Sequence, residues 1–204
     1  MADDTVRIIR TETIAENYYP LKKVTYEQTG TDGPDGNPRV QTLTREVYAN
    51  ASGAAVLLYN RQHRSVVLTR QFRIGARLGG HDGFLLEAAA GVLDDDAAPI
   101  ERARIEAHEE TGYDVERIEP VLELLVSPAV TTERLHLFVA EYDRARRSGA
   151  GGGLAHEGES IEVVELDFDD ALAMIDTGAI LDIKTVLLLR HLERTVLGRH
   201  GEAS

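Results

Sequence analysis

The chain has 204 residues, enough for one domain of ordinary size and a short appendage, with the apolar and charged fractions of a soluble globular protein. It has no cysteine, which excludes disulfides, thiolate metal sites and a cysteine nucleophile. A net charge of -13 argues against a surface that gathers nucleic-acid phosphates. No apolar run approaches the ~20 residues needed to cross a bilayer. Met1 to Arg10 carries Asp3 and Asp4 where a secretory leader would have basic residues and an apolar stretch, so the expected compartment is the cytoplasm.

In chain order, Val6 to Ile9, Tyr18 to Tyr26 and Thr42 to Tyr48 read as strands. The turn-forming run Thr29 to Pro38 between the last two predicts a hairpin tip. Ala54 to Tyr59 and Ser65 to Arg70 are strands joined by a polar turn, and Phe84 to Ala90 is a further strand ending at Gly91. Pro99 to Thr111 predicts a helix, with proline near its start and Gly112 just past its end. Val121 to Ser127 and Leu135 to Tyr142 are strands; Ala150 to Gly153 is a flexible glycine-rich loop leading into His156-Glu157-Gly158-Glu159. Asp169 to Thr177 and Lys184 to Leu197 are helices. Strands and helices mix without regular βαβ alternation, which predicts an α+β fold around a mixed sheet.

The most informative stretch is GVLDDDAAPIERARIEAHEETGY, Gly91 to Tyr113. On a helix, Glu106, Glu109 and Glu110 stand at i, i+3 and i+4 and project from one face, where like charges repel and the nearby C-terminal dipole disfavours them. Helix stability does not require this arrangement. A divalent cation would turn the repulsion into coordination, because Mg²⁺ takes oxygen ligands and is commonly shared with substrate phosphates. The plain alternative is a solvated acidic face. Two features favour the cation: Ile100, Ala103 and Ala107 on the opposite flank would seat the helix on a sheet, and the turn Ala88-Ala89-Ala90-Gly91 offers backbone groups beside the carboxylates.

The segment resembles the Nudix box, G-x5-E-x7-R-E-U-x-E-E-x-G-U, with Gly91, Glu106, Glu109, Glu110 and Gly112 in register. It departs at two positions: Ala97 replaces the first glutamate and Ile105 the arginine, a pair that in the family braces the loop against the helix. Arg102, four residues before Glu106, is placed to orient it instead. The span Glu16 to Leu192 is similar to the GDP-mannose pyrophosphatase branch, close to the ADP-ribose pyrophosphatases. Matching elements include Arg45-Glu46-Val47-Tyr48, Gln71-Phe72-Arg73, Ser127-Pro128 with Thr132-Glu133, Gly151 to Gly153, Ile161-Glu162-Val163 and Lys184 to Leu189.

The resemblance implies a Nudix fold, a mixed sheet sandwiched between helices over 51–199. It also implies an antiparallel extension over 1–50 that is exchanged between two subunits of a homodimer. It implies Mg²⁺, with Mn²⁺ as a substitute, held by Glu106, Glu110, Glu159 and the Ala90 carbonyl, with Glu109 in the same catalytic cluster. Glu159 would orient or deprotonate the attacking water, with Glu157 and Glu162 as rivals. Tyr18, Arg45, Glu46, Arg73, Ala90, Gly91, Glu133 and Lys184 would contact substrate; an arginine fork suits phosphate oxygens. The seven histidines show no metal-ligand spacing and read as structural or surface groups. The implied reaction is hydrolysis of GDP-mannose to GMP and mannose 1-phosphate, with ADP-ribose as the competing substrate. A non-catalytic nucleotide-sugar binding module is the alternative of another class, motivated by Ala97 and Ile105. Decapping or hydrolysis of nucleoside triphosphates fits the acidic surface and the N-terminal extension poorly.

Overall fold

The computed structural model describes residues 5–30, 38–93, 97–154 and 160–198. The chain forms two compact units: Met1–Ser52 with Leu125–Arg134, and Gly53–Leu124 with Leu135–Ser204. The first is a three-stranded antiparallel meander, β1 (Val6–Glu16), β2 (Pro20–Gly30) and β3 (Arg39–Tyr48), longer than the alternation of apolar residues predicts. Most of its extra residues are polar and pair because antiparallel partners complete each other's backbone bonds, from Val6 opposite Gln28 to Glu16 opposite Pro20, with breaks in register between Ile8 and Arg10 and between Thr13 and Ala15. The segment 125–134 joins this unit through backbone bonds from Tyr48 to Val130 and from Thr132 to Tyr48, a return that a division into two continuous stretches does not anticipate. Among the described residues of this unit none is buried, and Ile8, Ile9, Ile14, Val40 and Tyr18 stand exposed.

The second unit holds the core. β4 (Gly53–Asn60) and β5 (Ser65–Phe72) lie at the centre of a mixed sheet, with β6 (Phe84–Glu87), β7 (Ala89–Val92), β8 (Ile118–Leu125), β9 (Arg134–Glu141) and β10 (Glu162–Asp167) around them in the path β10-β5-β4-β9-β8. β4 runs parallel to β9 and antiparallel to β5 and β7, which confirms the mixed sheet of an α+β fold. Every residue of β4 is buried, as expected of a strand covered on both faces. On one face Ala54, Val56 and Leu58 meet Ala103 and Ala107 of α2 (Pro99–Thr111). Helix α4 (Ile183–Thr195) also packs against β4 and presents buried Leu188, Leu189 and Leu192. Each fully buried leucine contributes about 1.5–3 kcal/mol. α3 (Phe168–Asp176) packs on β10 and α4.

Two departures from expectation bear on function. The stretch Phe84 to Ala90, expected as one strand, is two: β6 pairs with β5, whereas β7 pairs with β4, and the chain crosses between them at Ala88. The crossing removes the Ala88 N–H from either ladder, and the Thr185 hydroxyl accepts it at 2.7 Å. A buried backbone donor needs such a partner. β10 and the short helix α1 (Ile74–Leu78) were not anticipated; β10 pairs with β5 in unbroken register from Glu162 opposite Arg70 to Asp167 opposite Ser65.

Candidate active site

Helix α2 begins and ends where its sequence signals predict. Pro99 occupies the first turn after Ala98, and Gly112 adopts a left-handed conformation at φ 76° that closes the helix. Its alanine flank is fully buried, which lowers the acidic side of the helix onto β7. Glu106 and Glu110 are only 4% and 2% exposed, so the reading of a solvated acidic face fails for both; Glu109 is half-buried.

Both buried carboxylates meet the Ala90–Gly91 segment. The Ala90 N–H donates to Glu110 Oε2 at 3.3 Å. A Cβ added at Gly91 would lie 1.5 Å from Glu106 Oε1, so only a residue without a side chain lets this carboxylate approach the strand. Arg102 forms an i,i+4 ion pair with Glu106, as its spacing predicts. Ile105 is exposed in the position where the box has its arginine.

The glycine run after β9 has a different role from loop flexibility. Ser148 and Gly149 N–H groups donate to the Gly112 carbonyl, Gly152 N–H to Glu110 O at 2.9 Å, and Gly153 N–H to Glu109 O at 3.1 Å. These bonds satisfy helix-end carbonyls that would otherwise lack partners. The approach is backbone against backbone: a Cβ at Gly151, whose φ is +71°, would lie 2.5 Å from Glu110 O. Ile161 N–H then returns to Gly152 O, so the chain leaves and re-enters beside the end of α2. Glu157 and Glu159 lie outside the described residues. Glu162 is on β10, exposed and facing Arg70 at 3.4 Å.

Arg73 and Lys184 are brought together by a residue that the sequence reading missed, Glu87 at the end of β6. Arg73 donates from Nε and Nη2 to the two Glu87 oxygens at 3.0 and 2.9 Å, and Lys184 Nζ donates to Glu87 Oε2 at 2.7 Å and to Asp182 Oδ1 at 2.8 Å. Burial works against the charged form of Glu87, but the bonds from Arg73 and the Lys184 charge prevail and hold its carboxyl below the usual glutamate range. Burial likewise opposes the Lys184 ammonium, and the charges of Asp182 and Glu87 outweigh it, raising its pKa. The cation at an unfavourable helix start thus has a local reason, since two carboxylates outweigh the dipole there.

The remaining predicted residues belong to the first unit. Tyr18 is 84% exposed with its ring edge-on to Tyr19. Arg45 and Glu46 are exposed on β3, opposite Val24 and Lys23, and Arg45 Nη1 donates to the Thr44 carbonyl. Glu133 accepts from Asn50 Nδ2 at 3.1 Å.

Hard oxygen donors are what the helix face and the Ala90–Gly91 turn offer: two buried carboxylates and strand backbone, a set that fits a divalent cation completed by water and phosphate oxygens. Among the described residues no group of three or more His, Asp or Glu side chains is arranged to hold a metal by itself.

The chain is similar to known proteins along most of its length. The sequence model of the NUDIX domain family matches residues 49–189, and that described as the GDP-mannose pyrophosphatase NudK N-terminal domain matches residues 5–48. A GDP-mannose pyrophosphatase of Cronobacter sakazakii is 50% identical over 189 residues, covering 92% of this chain and 95% of the relative. Proteins of the same name from Klebsiella pneumoniae and Escherichia coli are each 45% identical over 193 residues, covering 94% of this chain and 93% and 97% of theirs.

Proposed function

The chain belongs to the Nudix family, and we propose that it is a Mg²⁺-dependent pyrophosphatase that hydrolyses GDP-mannose to GMP and mannose 1-phosphate. The observation that carries the reading is the pair Glu106 and Glu110, buried against a strand turn whose glycine has no room for a side chain. The identity of the substrate is supported by the names of relatives matched over nearly the whole chain.

In this reading Glu106, Glu110 and the Ala90 carbonyl hold the metal together with Glu159, and Arg102 orients Glu106. A divalent cation bound there would neutralise phosphate charge and lower the pKa of bound water. Glu109 stands at the rim of this cluster. Arg73 and Lys184 grip diphosphate oxygens, Arg73 as a planar fork and Lys184 as a point charge. Glu159 orients or deprotonates the water that attacks one phosphorus as the bridging oxygen leaves on the other, with Glu157 and Glu162 as rivals for the role. Anchoring of both ends of that loop beside α2 supports the assignment. Gly91 lines the diphosphate, and Tyr18, Arg45, Glu46 and Glu133 contact the nucleotide sugar.

Incubation with GDP-mannose and, separately, with ADP-ribose in Mg²⁺ tests the reading by product release. GMP and mannose 1-phosphate are expected, with kcat/KM at least about tenfold above that for ADP-ribose, which corresponds to ~1.4 kcal/mol of transition-state preference. A reversed ratio would reassign the substrate. Tight binding without turnover under any divalent metal would make the protein a binding module.

The extension exposes isoleucine and valine on a sheet with no buried residue of its own, and a three-stranded sheet needs an apolar face covered to be stable. This supports a homodimer in which the extension is exchanged between copies. Light scattering on a sizing column is expected to give twice the mass of one chain; a single-chain mass at micromolar concentration would count against it. Among the described residues no helix is long and apolar enough to cross a membrane. We place the enzyme in the cytoplasm, on the acidic N-terminal sequence and the absence of cysteine.

A further inference from the structure

A closed ring of bonds surrounds the point where the chain crosses from β6 to β7. Arg73 and Lys184 both donate to Glu87; Lys184 also donates to Asp182; Asp182 Oδ2 accepts from the Thr185 N–H at 3.0 Å and from its hydroxyl at 2.6 Å. The Thr185 oxygen in turn accepts from Ala88 N–H, the residue next to Glu87. Three distant segments, the end of β5, the β6–β7 crossing and the first turn of α4, are thereby joined through one carboxylate that is 2% exposed.

We propose that Glu87 is a positioning residue of the hydrolysis: it fixes Arg73 and Lys184 for the diphosphate, and with Thr185 it sets the strand that leads to Ala90 and Gly91. This rests on the reading that those two cations meet substrate phosphates. The geometry favours a positioning role over simple charge burial. Glu87 engages Arg73 at Nε and Nη2, leaving Nη1 without a partner among the described residues on a side chain 40% exposed. One edge of the guanidinium is therefore clamped while the other remains available in a fixed plane. The charges of Arg73, Lys184, Glu87 and Asp182 cancel, so an arriving diphosphate meets oriented donors without removing an uncompensated buried cation. Both Glu87 oxygens are taken up by Arg73 and Lys184, so Glu87 acts through the residues it holds.

Glu87→Gln, which keeps the shape but has one acceptor oxygen for two cations, tests this. Expected in the folded variant are a fall of about 10²-fold in kcat/KM for GDP-mannose, visible in kcat as well as KM, and weaker binding of inorganic pyrophosphate in calorimetry with Mg²⁺. In the double variant with Lys184→Met the losses are expected to be less than multiplicative, because one residue acts through the other. Glu87→Asp keeps the charge but withdraws it by a methylene; it provides the test if the glutamine variant does not fold, and is expected to lose about tenfold. Wild-type kcat, KM and pyrophosphate affinity in a folded variant would overturn the proposal, as would fully multiplicative losses. If the wild type binds pyrophosphate and Glu87→Gln weakens it while GDP-mannose is not cleaved, the substrate assignment fails and the positioning role stands.

Discussion

Replacing Glu110 with glutamine is expected to lower kcat/KM by about 10³-fold, or ~4 kcal/mol of transition-state stabilisation, while the protein stays folded. The substitution is nearly isosteric, and the amide oxygen can still accept from the Ala90 N–H, so the packing of α2 on β7 is preserved. What is lost is a full negative charge at a buried position. Calorimetry with Mn²⁺ or Mg²⁺ should show the loss as weakened metal affinity, and thermal unfolding without metal should show little change. Glu106→Gln is expected to act in the same direction, with an added cost because Arg102 loses its charged partner. A folded Glu110→Gln protein with wild-type turnover at saturating Mg²⁺ would remove the basis for the metal assignment.

Gly91→Ala should also separate activity from stability, with a modest folding cost. The new methyl group would collide with Glu106 Oε1, the far end of a side chain, and would approach Arg102 Nε at 2.9 Å. Side-chain ends can swing aside, and Gly91 sits in a strand with no left-handed backbone to forbid alanine. The cost to folding is therefore about 1–2 kcal/mol, the range of a modest overpacking. For the reaction the same swing is large, since a displacement of a catalytic group by ~1 Å can cost about 10²-fold. A small drop in melting temperature with about a hundredfold loss of kcat/KM is expected. Full activity would show that the carboxylate need not touch the strand.

The acidic side of the site was legible because its signals are local. Pro99 and Gly112 mark the two ends of α2, and the spacing of Glu106 to Glu110, with the alanines behind them, gives its orientation. The brace from Arg102 is likewise a four-residue relation. Glu87 escaped because its partners stand 14 and 97 residues away, and no short spacing encodes them. A trace of it exists: a lone charge between Leu86 and Ala88 in an apolar stretch requires a counter-charge if the stretch is buried. The break at Ala88 was invisible for a related reason, since both halves are apolar and extended and differ only in which neighbour they pair with. β10 carries apolar Val163, Val164 and Leu166 among acidic residues, and that mixture hid a strand whose ladder is complete. The glycine-rich run Ala150 to Gly153 suggested freedom of motion where the structure uses Gly151 for close backbone approach.

The ion pair between Arg102 and Glu106 lies wholly within one helix. In the box this chain resembles, the corresponding brace ties the helix to the preceding loop, and a tie of that kind fixes how many residues the loop can contain. Here the helix carries its own strut. A substitution in the stretch before Pro99 would therefore leave this strut between Arg102 and Glu106 in place.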